Sequence, residues 1–303
     1  PRDAPTRPAP RERRRRAMPE PIVYRRAERH ELDRAVGWAA DEGWNPGIVD
    51  ADVFWETDPA GFVVAELDGE VVATGSIVAY GDDHGFMGFF IVRPDLRGLG
   101  IGRDFWMWRR DTLLARLRPG AAIGMDGVLE MVPFYAAGGF DLAHRNIRMT
   151  GTSDAGVECD ALRRIGETDA AELSPVDRQH FGFDRDVFLR RWIGAEGAIA
   201  VADVSDAGDV RGYGVLRRCR IGWKIGPLFA RTPEQAERIA RHLVAQAGND
   251  PVSLDVPEVN PAALDLAERL GLREEFACGR MYHGAAPVLP WAAIFGVTSF
   301  ELG

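Results

Sequence analysis

Phe89-Phe90-Ile91-Val92-Arg93-Pro94-Asp95-Leu96-Arg97-Gly98-Leu99-Gly100-Ile101-Gly102-Arg103 is the stretch that decides how the rest of the chain is read. An apolar run suited to a strand meets Pro94, three alternate glycines follow, and 103–117 carries the periodicity of an amphipathic helix. Glycine lacks a Cβ, so its backbone can turn through positive φ and bring N–H groups close to an anion. The helix that follows adds the positive end of its dipole to those donors. The pattern predicts a pyrophosphate cradle. It excludes two common alternatives. A dinucleotide fingerprint needs a third glycine where Arg103 or Phe105 stands, and a phosphate-binding P-loop needs Lys and Ser or Thr where Arg103-Asp104 follows.

Outward from the loop, the spacing predicts strands at 21–26, 61–67, 71–80, 86–92, 121–125 and 140–149. Helices are expected at 28–42, 49–55, 103–117 and 131–137, with Asp68-Gly69 as a hairpin turn. The small, polar block 151–160 reads as a linker, and a comparable order of elements then repeats. There a helical region spans 169–192, strands lie at 198–203, 211–218 and up to about 228, and a helix covers 233–246. A strand at 252–256, a helix at 261–270 and final strands close the chain, with 288–300 read as strand despite Pro290 and Gly296. The expected division is a disordered tail at 1–18, a cofactor-binding domain at 19–150 and a second domain at 161–303.

A chain of 303 residues with 46% hydrophobic and 27% charged residues has the material for two soluble cores. There is no run of 18 apolar residues and no secretory leader pattern, so the expectation is cytoplasmic, with no membrane partner. Cys159, Cys219 and Cys278 are odd in number and widely spaced, which suggests neither disulfides nor a metal site. Residues 1–17 carry seven arginines against Asp3 and Glu12, leaving 30 basic and 44 acidic residues elsewhere. An acidic body argues against a nucleic-acid partner and favours cationic small molecules. The arginine run is read as a solvated tail, or as sequence upstream of a true start at Met18. Oligomeric state cannot be read.

The segment 92–102 resembles the acyl-CoA signature of the GNAT N-acetyltransferase superfamily, whose core is Arg or Gln, two residues, Gly, one residue, Gly or Ala. Arg97, Gly100 and Gly102 match it, and Tyr135-Ala136-Ala137-Gly138-Gly139-Phe140 is similar to the family's second motif. The resemblance implies tandem α/β folds of α+β type, each a mixed, mainly antiparallel sheet flanked by helices. It implies acetyl-CoA as cosubstrate, with Phe90, Ile91, Val92, Arg97, Gly98, Leu99, Gly100, Ile101, Gly102 and Arg103 against it. Tyr135 is then the general acid for the leaving sulfur, and a backbone N–H of 89–92 meets the oxyanion. Val128 departs from the pattern, standing where the family often has Asn.

The activity implied is direct N-acyl transfer to a small-molecule amine; the alternative is an acyl-CoA-binding or sensor protein without turnover. For the base that deprotonates the amine, Glu130, Asp126 and His84 are candidates. Trp44-Asn45-Pro46-Gly47 falls where the family lines its acceptor side, or is a structural turn. The second half resembles a degenerate GNAT domain. Its counterpart of the glycine loop is Arg231-Thr232-Pro233-Glu234-Gln235, a capped helix start, and Ala267 takes the place of the tyrosine. One cofactor per chain is therefore expected, with the acceptor pocket between the halves.

Overall fold

The computed structural model describes residues 21–303; the tail read at 1–18 lies outside the described residues. The first half runs β1 (Val23–Arg26), α1 (Arg29–Asp41), α2 (Asp50–Thr57), β2 (Phe62–Leu67), β3 (Glu70–Tyr80), β4 (His84–Val92), α3 (Ile101–Leu114), β5 (Ala122–Val128), α4 (Val132–Ala137) and β6 (Asp141–Gly151). The second half repeats that order as β7 (Leu162–Ile165), α5 (Ala170–Phe181), α6 (Asp186–Ile193), β8 (Ile199–Val204), β9 (Val210–Arg218), β10 (Trp223–Ala230), α7 (Pro233–Ala247), β11 (Val252–Pro257), α8 (Pro261–Arg269) and β12 (Arg273–His283). A three-residue strand, β13 (Ile294–Gly296), follows.

Local chemistry accounts for most boundaries. Glu31 accepts from the Glu28 N–H at 2.7 Å and starts α1 with a capping box. Asp68 and Gly69 take φ of 52° and 79°, the left-handed pair that a tight hairpin between β2 and β3 requires. The expected helical region at 169–192 is two helices, because Gly182 turns the chain at φ 98° and ends α5. The stretch 288–300 forms strand only at β13, since Pro290 leads into a 3-10 turn at Trp291–Ala293. No helix among the described residues is long and apolar enough to cross a membrane.

The thirteen strands of the described residues join one sheet, in the order β1-β2-β3-β4-β5-β12-β6-β11-β10-β9-β8-β7, with β13 on β10. The halves have exchanged their closing strands. β12, from the second half, lies between β5 and β6, placing Arg280 opposite Asp126. In return β6 lies against β11, with Arg148 opposite Asp255. Both cross-seam pairs are buried ion pairs, at 2.6 Å for Arg280–Asp126 and 2.7 Å for Arg148–Asp255. Removing one partner of such a pair costs about 3–5 kcal/mol, because it strands a charge out of water. Residues 152–161, between β6 and β7, are neither helix nor strand, and the sheet does not divide there. One apolar cluster also spans the halves, with Phe54 of α2 stacked on Trp192 of α6 at 6.0 Å.

In each half one parallel strand pair separates part way. β4 pairs with β5 only from His84 to Met87, and β10 with β11 only from Trp223 to Ile225. Beyond Met87 the register of β4 shifts against β3 and Phe89 takes φ 50°, which turns β4 away from β5.

Candidate active site

The divergence of β4 from β5 opens a cavity of about 410 Å³. Residues 87–92 of β4 form one wall and 125–128 of β5 the other. The glycine loop closes one end, with Arg97, Gly98, Gly102 and Arg103 on the lining; Leu99, Gly100 and Ile101 shape the loop without facing the cavity. Gly98 and Gly100 have φ of 79° and 88°, and the space where their Cβ atoms would lie is open to 4 Å. Gly102 is different. It sits in the first turn of α3, and a Cβ there would stand 3.2 Å from Val92 and 3.4 Å from Phe90. Its role is close approach of helix to strand, not positive φ. Arg97 donates from Nε to the Val92 carbonyl at 2.9 Å and pairs with Glu42 through its other end.

Tyr135 of α4 lines the same cavity and is 4% exposed. Its ring lies on Gly127 of β5, where a Cβ would be 2.4 Å from Cε2. Burial pushes the phenol up to about 12, against the opposing pull of the Arg109 guanidinium. A phenol so placed keeps its proton across the neutral range. The Gly138-Gly139-Phe140 part of the motif is a packing device: a Cβ at Gly138 would strike the Trp106 ring at 2.2 Å, and Phe140 meets that ring edge-on at 5.5 Å.

The three candidate bases fare unevenly. Asp126 lines the cavity, but Arg280 donates to both its oxygens, at 2.9 and 2.6 Å, and Asn146 adds a third hydrogen bond at 2.8 Å. Glu130 is exposed and outside the lining. His84 is buried at the far end of β4, stacked 4.2 Å from Phe183, and burial lowers it to about 3. None is a free base at this cavity.

The second half supplies what sequence reasoning missed. Phe276 and Cys278 of β12, with Phe300 and Glu301 beyond β13, complete the lining. Arg109 of α3 is a further addition: buried, lowered to about 9 by desolvation, and donating to the Ser76 and Gly88 carbonyls at 2.7 Å each. Its Nε and Nη1 have no partner. A signal existed, in Gly75 inside apolar β3, because a Cβ there would lie 2.2 Å from Arg109 Nε. The turn at 44–47 is both lining and joint. Trp44 faces the cavity and its carbonyl accepts from Arg148 at 2.7 Å. The Asn45 side chain meanwhile grips the Ile221 backbone at 2.8 and 2.9 Å.

Comparison with known proteins bears on both halves. The acetyltransferase (GNAT) family profile matches residues 25–115, and a second GNAT-domain profile matches 174–296. The chain is 29% identical over 269 residues to a holothin acyltransferase of Pseudoalteromonas sp. (strain SANK 73390), covering 88% of this chain and 89% of that protein. It is 26% identical over 192 residues to YitH, an uncharacterized N-acetyltransferase of Bacillus subtilis (strain 168), covering 62% and 66%. Among solved structures, a candidate acetyltransferase from Pyrococcus horikoshii superposes with a TM-score of 0.79 at 22% identity, over 93% of this chain and 96% of that one. A tandem GNAT protein from the clavulanic acid biosynthesis pathway superposes with a TM-score of 0.61 at 14% identity, over 88% and 100%. The chain therefore belongs to the GNAT acetyltransferase superfamily, carries two GNAT domains in tandem, and is an acyltransferase.

Proposed function

We propose that the chain transfers an acetyl group from acetyl-CoA to the amine of a small molecule by direct attack. The observation that carries this is the cavity itself, with a glycine loop at one end and a buried tyrosine on the wall. The loop fits a pyrophosphate. Its backbone is open around Gly98 and Gly100, the N-terminus of α3 follows the loop directly, and Arg103 adds positive charge beside the Arg97–Glu42 pair. Phe90, Ile91 and Val92 would run beside the pantetheine arm. Acetyl-CoA supplies the activated acyl group; the chain orients it, keeps water out and provides a proton from the Tyr135 hydroxyl as the C–S bond breaks.

Residues 19–150 carry this site in our reading, and 161–303 shape its acceptor side. The holothin acyltransferase makes holothin a first acceptor to try within a panel of primary amines. Gly100→Asp places a side chain at φ 88° and a negative charge on the loop proposed to hold the pyrophosphate. It should weaken acetyl-CoA binding at least tenfold, about 1.4 kcal/mol, as measured by calorimetry. Unchanged affinity in a folded variant refutes the placement. Binding with no thiol release from any acceptor would favour the sensor.

A further inference from the structure

Three carboxylates line the cavity, and two are engaged: Glu42 by Arg97, Asp126 by Arg280 and Asn146. Glu301 is the third. It is 3% exposed, and its Oε2 is buried with no hydrogen-bond partner. A buried carboxylate oxygen without a donor is costly, and the structure gives no internal reason for it.

The backbone that delivers Glu301 is tightly held. After β13 the chain passes Gly226, where a Cβ would meet the Thr298 carbonyl at 2.5 Å. It then reaches Gly88, where a Cβ would meet the Glu301 carbonyl at 2.3 Å. Arg185 donates to Thr298 Oγ1 at 2.8 Å and Tyr80 to the Leu302 carbonyl at 2.8 Å. Gly88 directly follows Met87, the last residue of β4 paired with β5. Glu301 therefore stands on β4 where the gap opens, as Tyr135 stands on β5 at Gly127.

Three basic side chains, Arg148, Arg217 and Lys224, lie near enough to Glu301 to interact with its charge. Arg148 is paired with Asp255 and Arg217 with Asp50. Lys224, lowered by burial, donates to the Asn45 carbonyl at 3.2 Å and forms no ion pair with a carboxylate among the described residues.

We propose that Glu301 is the acceptor-side catalytic carboxylate, which holds the incoming amine and takes its proton; this rests on the acyl-transfer reading above. The amine nitrogen forms its bond to the acyl carbon as the C–S bond breaks. The electron pair of that bond leaves on sulfur, which takes the Tyr135 proton, while the nitrogen's proton passes to Glu301. Exchange with water returns both groups to their starting forms.

The test compares wild type with Glu301→Gln and Glu301→Asp, using acetyl-CoA and two nucleophiles: the fastest primary amine of the panel, and hydroxylamine, whose nitrogen sheds its proton readily to water. Expected is a loss of about 10²–10⁴-fold in amine turnover for Glu301→Gln. Acetyl-CoA affinity and hydroxylamine turnover should stay within about threefold. Glu301→Asp keeps the charge among the cations but withdraws the oxygen, so it should fold like wild type and still lose amine turnover. Amine turnover within threefold of wild type in both variants overturns the inference and leaves the acyl-transfer reading standing. Equal loss of both nucleophiles together with acetyl-CoA affinity also overturns it, because that marks a structural role. A wild type that releases no thiol with either nucleophile overturns the reading and the inference together.

Discussion

The two halves repeat one element order, and at the same point of each a parallel strand pair stops running side by side. In the first half the gap between β4 and β5 is a cavity of about 410 Å³. In the second half β13 fills it, pairing antiparallel with β10 through Leu228 and Gly296, while the Val297 N–H donates to the Asp255 carbonyl at 2.9 Å. The loops differ to match. Gly98 and Gly100 turn through positive φ, whereas the Thr232 hydroxyl accepts from the Gln235 N–H at 3.4 Å and closes the helix start on itself. One fold thus takes two forms, with its splayed strands and its loop donors left available in the first half and satisfied from within in the second. The segment that plugs the second gap is also the one that continues to Glu301 in the first.

Cutting the chain between the halves tests how far each depends on the other's strand. A chain ending at Thr150 lacks β12, so β5 loses its neighbour and Asp126 loses Arg280. We expect loss of cooperative unfolding, read by thermal denaturation, and no acetyl-CoA binding. A cooperative, binding-competent fragment would show that the exchanged strands are dispensable. Tyr135→Phe should lower turnover by about 10²–10⁴ with little change in acetyl-CoA affinity, because only the proton is removed. Activity within twofold of wild type would assign Tyr135 to packing, as with its counterpart Ala267, which is wholly buried in the second core.

What the sequence made legible was local. The loop, the tyrosine motif, the Asp68-Gly69 hairpin and the Thr232 cap each declare themselves within a few residues, because their physics is that of backbone donors and turn conformations. The strand exchange is not local. β6 and β12 are both eleven-residue strands that close a half, and nothing in their alternation says which half each completes. Arg109 was hidden for a related reason. In a helix that also buries Ile101, Phe105, Trp106 and Leu113, a lone arginine reads as a solvated position until Gly75 and Gly88 are seen to face it. β7 was missed because Leu162 and Ile165 bracket two exposed arginines, too short a pattern to separate from a loop. Glu301 gave no signal, since its meaning depends on a path across both halves.

We propose that the first half binds acetyl-CoA and the second does not, and counting the sites decides between one and two. Calorimetric titration of the full chain with acetyl-CoA should give one site per chain. Thr232→Ala, which opens the second half's helix start, should leave that number unchanged. Two equivalent sites, or one site that survives Gly100→Asp with its affinity intact, would contradict the account.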